Sequence, residues 1–353
     1  MSIKPLELNA KTIKLMKPVT SANYTEKTVL TNSSWEYVEL WLKRQNNEKS
    51  KRALFYWLQA KSFFNASECL PLESRPLTSY YCCLNAAKAL LSIRGRENID
   101  FDNLSHGISS DRRQWKTNNI KQAKVKFLGS GVLFELSQYF NEEACKKEYD
   151  IYDLLYNIPC IHRTFAITYN CPELFIPVKE PTFIVDTNLK KGWIQCTVDD
   201  RYSNGNSLRY LPKQYEKTNF VGADENFIIR DKRRFDWDRR VSIEERKNII
   251  SSYHGKARKN LFYIVGHVRL WYIKKEIPNN THLLKRNSIT LIYAVMHWLS
   301  ELVRYNPEKF NKLMTTKQNW LLHEFIDNAL YQYIDEISCE MTSVDIMTTG
   351  YRK

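Results

Sequence analysis

The chain has few of the residues that interrupt or loosen a fold: 10 Gly and 11 Pro among 353 residues. That scarcity excludes collagen-like, linker-rich and low-complexity architectures. It also lacks a long apolar run. The most apolar stretches, Ser288–Leu302 and Asn260–Ile273, fall short of the roughly 20 residues a spanning helix needs. The first carries His297 and Glu301 and the second His267 and Arg269. With a mean hydropathy of −0.50, no membrane association is expected. Residues 1–20 hold scattered lysines and no continuous apolar centre, so a secretory leader is not expected and the expected location is cytoplasmic. The eight cysteines form no C-x-x-C, and no His–Cys group has zinc spacing. They read as reduced, buried thiols, with no metal and no cofactor implied. No Walker loop, G-x-G-x-x-G, G-x-S-x-G or H-E-x-x-H is present either.

What is present is cationic and foldable. Lys and Arg number 53 against 39 Asp and Glu, a net charge of +14, and hydrophobic residues make up 43%. This composition fits a folded protein with a polyanionic partner. The fold class expected is α+β, mainly α, with a small antiparallel β-rich insertion in the middle. Residues 1–30 read as an N-terminal arm, 31–160 as a helical region and 161–280 as a β-rich middle. Residues 281–353 read as C-terminal helices packing back on the first helical region. Ser33 with Glu36 offers a capping box before a helix to Gln45. A second helix runs from about Lys51 to Glu68. A third opens at Arg75-Pro76, where proline is tolerated in the first turn, and stops at Gly95. Residues 96–131 read as irregular and basic, and 132–148 and 149–157 as short helices. From Ile161 the texture turns to short β-branched and aromatic segments such as TFAITYN and TFIVDT. Leu261–Tyr272 fits either a strand or a buried helix. Helices resume at Ser288–Tyr305 and Trp320–Thr342.

The most specific text is Phe55–Lys61 (FYWLQAK) with Ser74–Leu91 (SRPLTSYYCCLNAAKALL). Leu154–Pro159 followed by His162-Arg163, Leu299–Pro307 (LSELVRYNP) and Trp320 with Glu324-Phe325 extend the pattern. Together these resemble the YaaC-like family of bacterial proteins, which implies a cytosolic prokaryotic protein. Tyr80-Tyr81, then Ala86-Ala87-Lys88-Ala89-Leu90-Leu91, a glycine and a loop histidine are also similar to a helix of HEPN domains. That resemblance implies a HEPN-like helical core and a setting among RNases and defence proteins. HEPN ribonucleases use an Arg and a His with four to six residues between them, the Arg steadying the phosphate while the His moves a proton. Here Arg246 and His254 have seven residues between them, Arg258 and His267 eight, and Arg96 and His106 nine, so that spacing is absent.

Four residues are candidates for a noncanonical site: His106 in a polar loop, Lys88 and Asn85 on one face of the third helix, and His162 after Ile158-Pro159. Two basic segments with interleaved aromatics fit phosphate contact and base stacking. The first contributes Arg112, Arg113, Lys116, Lys121 and Lys124. The second contributes Arg233, Arg234, Arg239 and Arg240, in a stretch where three Asp offset half of the six cations. Asp186 and Lys191 do not give the order of a carboxylate–lysine nuclease. The expected function is a nucleic-acid-binding or defence-accessory protein acting on RNA or DNA, with a partner encoded nearby and self-association as open options. A metal-independent HEPN-type ribonuclease using His106 and a structural subunit acting by protein contact are the alternatives.

Overall fold

The computed structural model describes residues 2–8, 11–110, 119–143, 147–198, 200–202, 208–221, 227–238, 240–266 and 270–349. The chain is α+β with helix predominant. Among the described residues its helices include α1 (Ser34–Gln45), α2 (Glu48–Cys69), α3 (Arg75–Arg94), α4 (Val132–Tyr139), α5 (Ile151–Tyr156) and α6 (His162–Tyr169), then α7 (Ile243–Ala257), α8 (Ser288–Tyr305), α9 (Pro307–Met314) and α10 (Asn319–Thr342). Two compact units form. One joins Leu30–Glu173, Thr281–Thr342 and Met347–Lys353; the other joins Met1–Val29, Leu174–Asn280 and Ser343–Ile346.

The first unit is helical. Its centre is α8, whose residues are buried on every side from Ser288 to Ser300, as expected of a helix apolar all round. Helix α3 packs on it and on α10: the Tyr333 hydroxyl donates to the Cys83 carbonyl at 3.2 Å. The Arg94 Nε donates to Met341 O at 3.0 Å. Pro76 lies in the first turn of α3 and Gly95 caps its end. The anticipated capping box at Ser33 does not form. The box belongs to α2 instead, where Asn47 Oδ1 accepts from Ser50 N at 2.8 Å and Asn47 N donates to Ser50 Oγ at 3.0 Å. Strands Ile108–Ser110, Lys124–Phe127 and Lys147–Asp150 form a small antiparallel sheet. This sheet corrects the reading of 96–131 as irregular and of 132–148 as one helix. Thr164–Asn170, read as a strand, lies in α6 and its cap. Phe165 and Ala166 bury on one side, and Asn170 ends the helix in the left-handed conformation at φ 49°.

The second unit is built on an antiparallel sheet. Strands Tyr215–Val221, Phe227–Asp231, Lys191–Val198, Phe175–Asp186, Leu270–Lys274 and Leu261–Ile264 follow in that order, each antiparallel to its neighbour. Residues Phe183, Ile194, Val198, Ile229 and Ile273 are fully buried on it. Pro181 has no N–H for the ladder, and the register shifts between Lys179 and Thr182. The N-terminal segment pairs there: Ile3–Pro5 runs antiparallel to Ile184–Asp186, and Leu15 N donates to Pro181 O at 2.9 Å. Within the expected N-terminal arm, Ile3–Pro5 and Leu15 thus bond to the sheet. Helix α7 is not among the expected elements. Its Ile250, Tyr253, His254 and Ala257 follow helical spacing and are buried.

Candidate active site

Two glycines set the His106 loop. Gly107 and Gly131 hold φ of 79° and 102°, a region that favours glycine. Their backbones also touch: a Cβ on Gly131 would sit 2.4 Å from Gly107 N. This close approach brings the loop carbonyls to the start of α4, whose first amides have no partner within the helix. Ser105 O accepts from Val132 N at 2.8 Å and His106 O from Leu133 N at 3.2 Å. The backbone on either side of the imidazole is therefore fixed, while His106 itself is exposed.

The imidazole closes a ring of hydrogen bonds with two buried tyrosines. Tyr293 Oη donates to the His106 carbonyl at 3.0 Å. That uses the single proton of Tyr293, so in its 3.1 Å contact with Tyr80 the Tyr80 hydroxyl is the donor. Tyr80 then has no proton left for His106, and its 2.5 Å contact with Nδ1 requires an Nδ1–H donating to the phenol oxygen. A neutral imidazole protonated at Nδ1 carries its lone pair on Nε2. Among the described residues nothing hydrogen-bonds to that atom.

The charge state agrees with this assignment. Although His106 is exposed as a residue, its ring lies 5.5 Å from Tyr80 and 5.8 Å from His297 between centroids. The partial burial of the ring lowers its pKa below 6.5; the Glu301 carboxylate opposes that shift and the Lys88 cation reinforces it. Glu301 also accepts a short hydrogen bond from Ser110 Oγ. His297, on α8, is 5% exposed. Its Nδ1 is buried, has no hydrogen-bond partner among the described residues and lies 3.9 Å from Glu301 Oε2. Burial, reinforced by His106, pushes its pKa down to about 3, so it is neutral. The site thus offers an imidazole with an uncommitted Nε2, a nearby ammonium and a carboxylate. Such a set moves a proton on an anionic substrate.

The structure brings Lys88 and His106 together. The Lys88 ammonium also stands 5.2 Å from the centre of the Tyr56 ring. Asn85 does not join them; its amide donates to Tyr81 O within α3 at 2.8 Å. His162 sits elsewhere in this unit, buried, its Nδ1 donating to Pro159 O at 2.7 Å. Arg96 is also committed elsewhere, forking onto buried Glu135 at 2.7 and 2.6 Å. Tyr80, Tyr293, His297 and Glu301 were not anticipated as site residues. Tyr80 and Tyr293 stand 213 positions apart, a separation no local pattern encodes.

Of the basic residues, Arg112, Arg113, Lys116 and Arg239 lie outside the described residues. Lys124 faces Asp150 at 3.8 Å. In the second segment, Arg233 forks onto Asp231, with its shortest contact at 2.5 Å. Arg234 meets Glu216 at 3.2 Å and covers the Trp193 ring at 4.7 Å. Arg240 meets Asp238 at 2.6 Å. Those three guanidinium groups are compensated by their own neighbourhood. Lys121 differs: its ammonium lies over the Tyr152 and Tyr169 rings.

A family model described as YaaC-like Protein matches residues 17–341. No curated protein and no solved structure matches the chain. The chain belongs to the YaaC-like family.

Proposed function

We propose that this member of the YaaC-like family engages RNA and cleaves it by acid–base chemistry at His106, on a HEPN-like helical scaffold. The observation that carries the reading is the hydrogen-bonded ring from Tyr293 through Tyr80 to His106, which leaves the Nε2 lone pair uncommitted among the described residues. The substrate class follows from the net charge of +14 and from the likeness of α3 and its loop histidine to HEPN modules. In the reaction Nε2 takes the proton of a ribose 2′-hydroxyl and the 2′-oxygen bonds to phosphorus. The bond from phosphorus to the 5′-oxygen breaks, and water protonates the leaving oxygen. The products are a 2′,3′-cyclic phosphate and a 5′-hydroxyl. Lys88 is placed to offset charge on the phosphate.

Cleavage of a labelled single-stranded RNA tests this reading. His106→Ala should lower the rate about 10²- to 10⁴-fold with the fold retained by circular dichroism. Because the base must be neutral, the wild-type rate should fall with acid only below the ordinary histidine pKa of 6.5, in line with the lowered value in the protein. Undiminished cleavage by His106→Ala rejects the site.

A second reading, nucleic-acid binding without cleavage as a subunit of a defence system, is favoured by one observation. Arg96, the arginine preceding His106, is held by Glu135. It predicts salt-sensitive RNA binding by wild-type protein, with no products formed and no effect of His106→Ala.

A further inference from the structure

We infer that Lys121, Tyr152, Tyr169 and Lys317 form a platform for single-stranded nucleic acid, separate from the His106 loop; the inference rests on the reading of RNA as the ligand. The four side chains come from four segments of the helical unit. Lys121 lies in a 3₁₀ turn, Ile120–Gln122, held by Asn119, whose Oδ1 accepts from Lys121 N at 3.0 Å. Tyr152 is in the first turn of α5 and Tyr169 ends α6. Lys317 lies between α9 and α10.

The Lys121 ammonium is 5.0 Å from the Tyr152 ring centre and 5.6 Å from that of Tyr169, and Lys317 is 5.5 Å from Tyr169. The two rings meet edge to face at 4.8 Å, each also against Phe165, which is fully buried. The rings are thus rigid and half-buried, while both lysines are exposed.

What separates this cluster from the arginine segment is charge balance. Arg233, Arg234 and Arg240 each face a carboxylate. Among the described residues neither Lys121 nor Lys317 forms an ion pair. The acid next in the chain, Asp153, is engaged by His282 Nδ1 at 2.6 Å. A cation resting on a ring keeps its N–H donors available. Those donors suit phosphate oxygens, and tyrosine rings that are only partly buried suit unstacked bases, which a duplex does not offer.

Fluorescence anisotropy in the uncleaving His106→Ala protein tests the platform, with a short labelled single strand of RNA and its duplex. Tyr169→Leu should weaken single-strand binding about five- to hundredfold, the range of one lost stacking contact. K121Q/K317Q, which alters only exposed groups, should make the logarithmic salt slope shallower by about 1.4, the release expected for two phosphates on a single strand. Parental affinity and slope in both variants overturn the platform while leaving the RNA reading standing. Duplex binding as tight as single-strand binding also overturns it. Failure of the parent protein to bind RNA at low salt removes the RNA reading itself.

Discussion

Each unit of the chain holds a tyrosine hydroxyl against the Nδ1 of a histidine, and the two pairs point their protons in opposite directions. In the β-rich unit the Tyr24–His254 contact is 2.7 Å and His254 Nε2 meets Pro18 O at 2.5 Å. A carbonyl only accepts, so Nε2 carries the proton and Nδ1 accepts from Tyr24. Both nitrogens of that fully buried ring are satisfied, and the histidine ties α7 to the N-terminal segment. In the helical unit the Tyr80–His106 contact runs the other way, because Tyr80 donates to Tyr293. The Nε2 of that partly buried ring is left as an acceptor. The same two residue types therefore make a core fastening in one unit and an imidazole with an uncommitted acceptor in the other. The decision lies with the atom that meets the second nitrogen.

The widest gap between the two pairs should appear in stability. His254→Ala removes a buried ring and leaves the Tyr24 hydroxyl and Pro18 carbonyl without their partner. The expected loss is about 3–4 kcal/mol from the cavity and the unsatisfied groups. His106→Ala removes an exposed side chain whose backbone carbonyl keeps its bonds to Leu133 N and Tyr293 Oη. Its expected cost is within about 1 kcal/mol. Urea unfolding of both variants measures the contrast, and equal losses would break it.

Acid should separate buried from exposed histidines next. Burial pushes His254 and His297 down to about 3 in the folded chain, against about 6.5 when unfolded. The unfolded state then binds more protons between those values. The stability of the neutral form is thus fully present above about pH 6.5 and declines as pH falls towards the folded pKa. Each ring should cost about 1.4 kcal/mol by pH 5.5. His254→Gln should remove its share of that slope while His297 keeps the other. A stability flat from pH 7 to 5.5 in the wild-type protein would contradict both shifts.

Much of the helical unit was legible because its signals are local. Pro76 in the first turn and Gly95 at the end bound α3, and the mainly apolar text of α8 matches its burial on every side from Ser288 to Ser300. Segments with competing local signals were misread. Thr164, Ile167 and Thr168 favour a strand, yet packing of Phe165 and Ala166 makes α6 a helix. Ser33 has the capping pattern, yet Asn47 makes the bonds. Lys88 and His106 stood out from the helix text and the polar loop. Their setting did not, because Tyr293 and His297 reach the loop from α8, far along the chain. Asn85 shares the face of Lys88 by spacing, but a local bond to Tyr81 O takes its amide, and spacing alone does not distinguish those outcomes.

The smallest expected change is the one that tests the proton polarity itself. Tyr80→Phe keeps the ring that packs against His106, His297 and Tyr293 and deletes only the hydroxyl. Tyr293 can still donate to the His106 carbonyl, so the loop stays in place. What is lost is the acceptor that holds the proton on Nδ1. The neutral imidazole should then divide between its two tautomers, and the form with a free Nε2 lone pair becomes a fraction of the population. Loss of the tautomer and of ring orientation together should lower kcat about tenfold, or roughly 1.4 kcal/mol in the barrier, with KM unchanged because no group facing the substrate is altered. Nitrogen NMR of the imidazole provides the independent reading: protonation at Nδ1 in the wild-type protein and a mixture in Tyr80→Phe. A wild-type His106 protonated at Nε2 would reverse the assignment and make His106 resemble His254 after all.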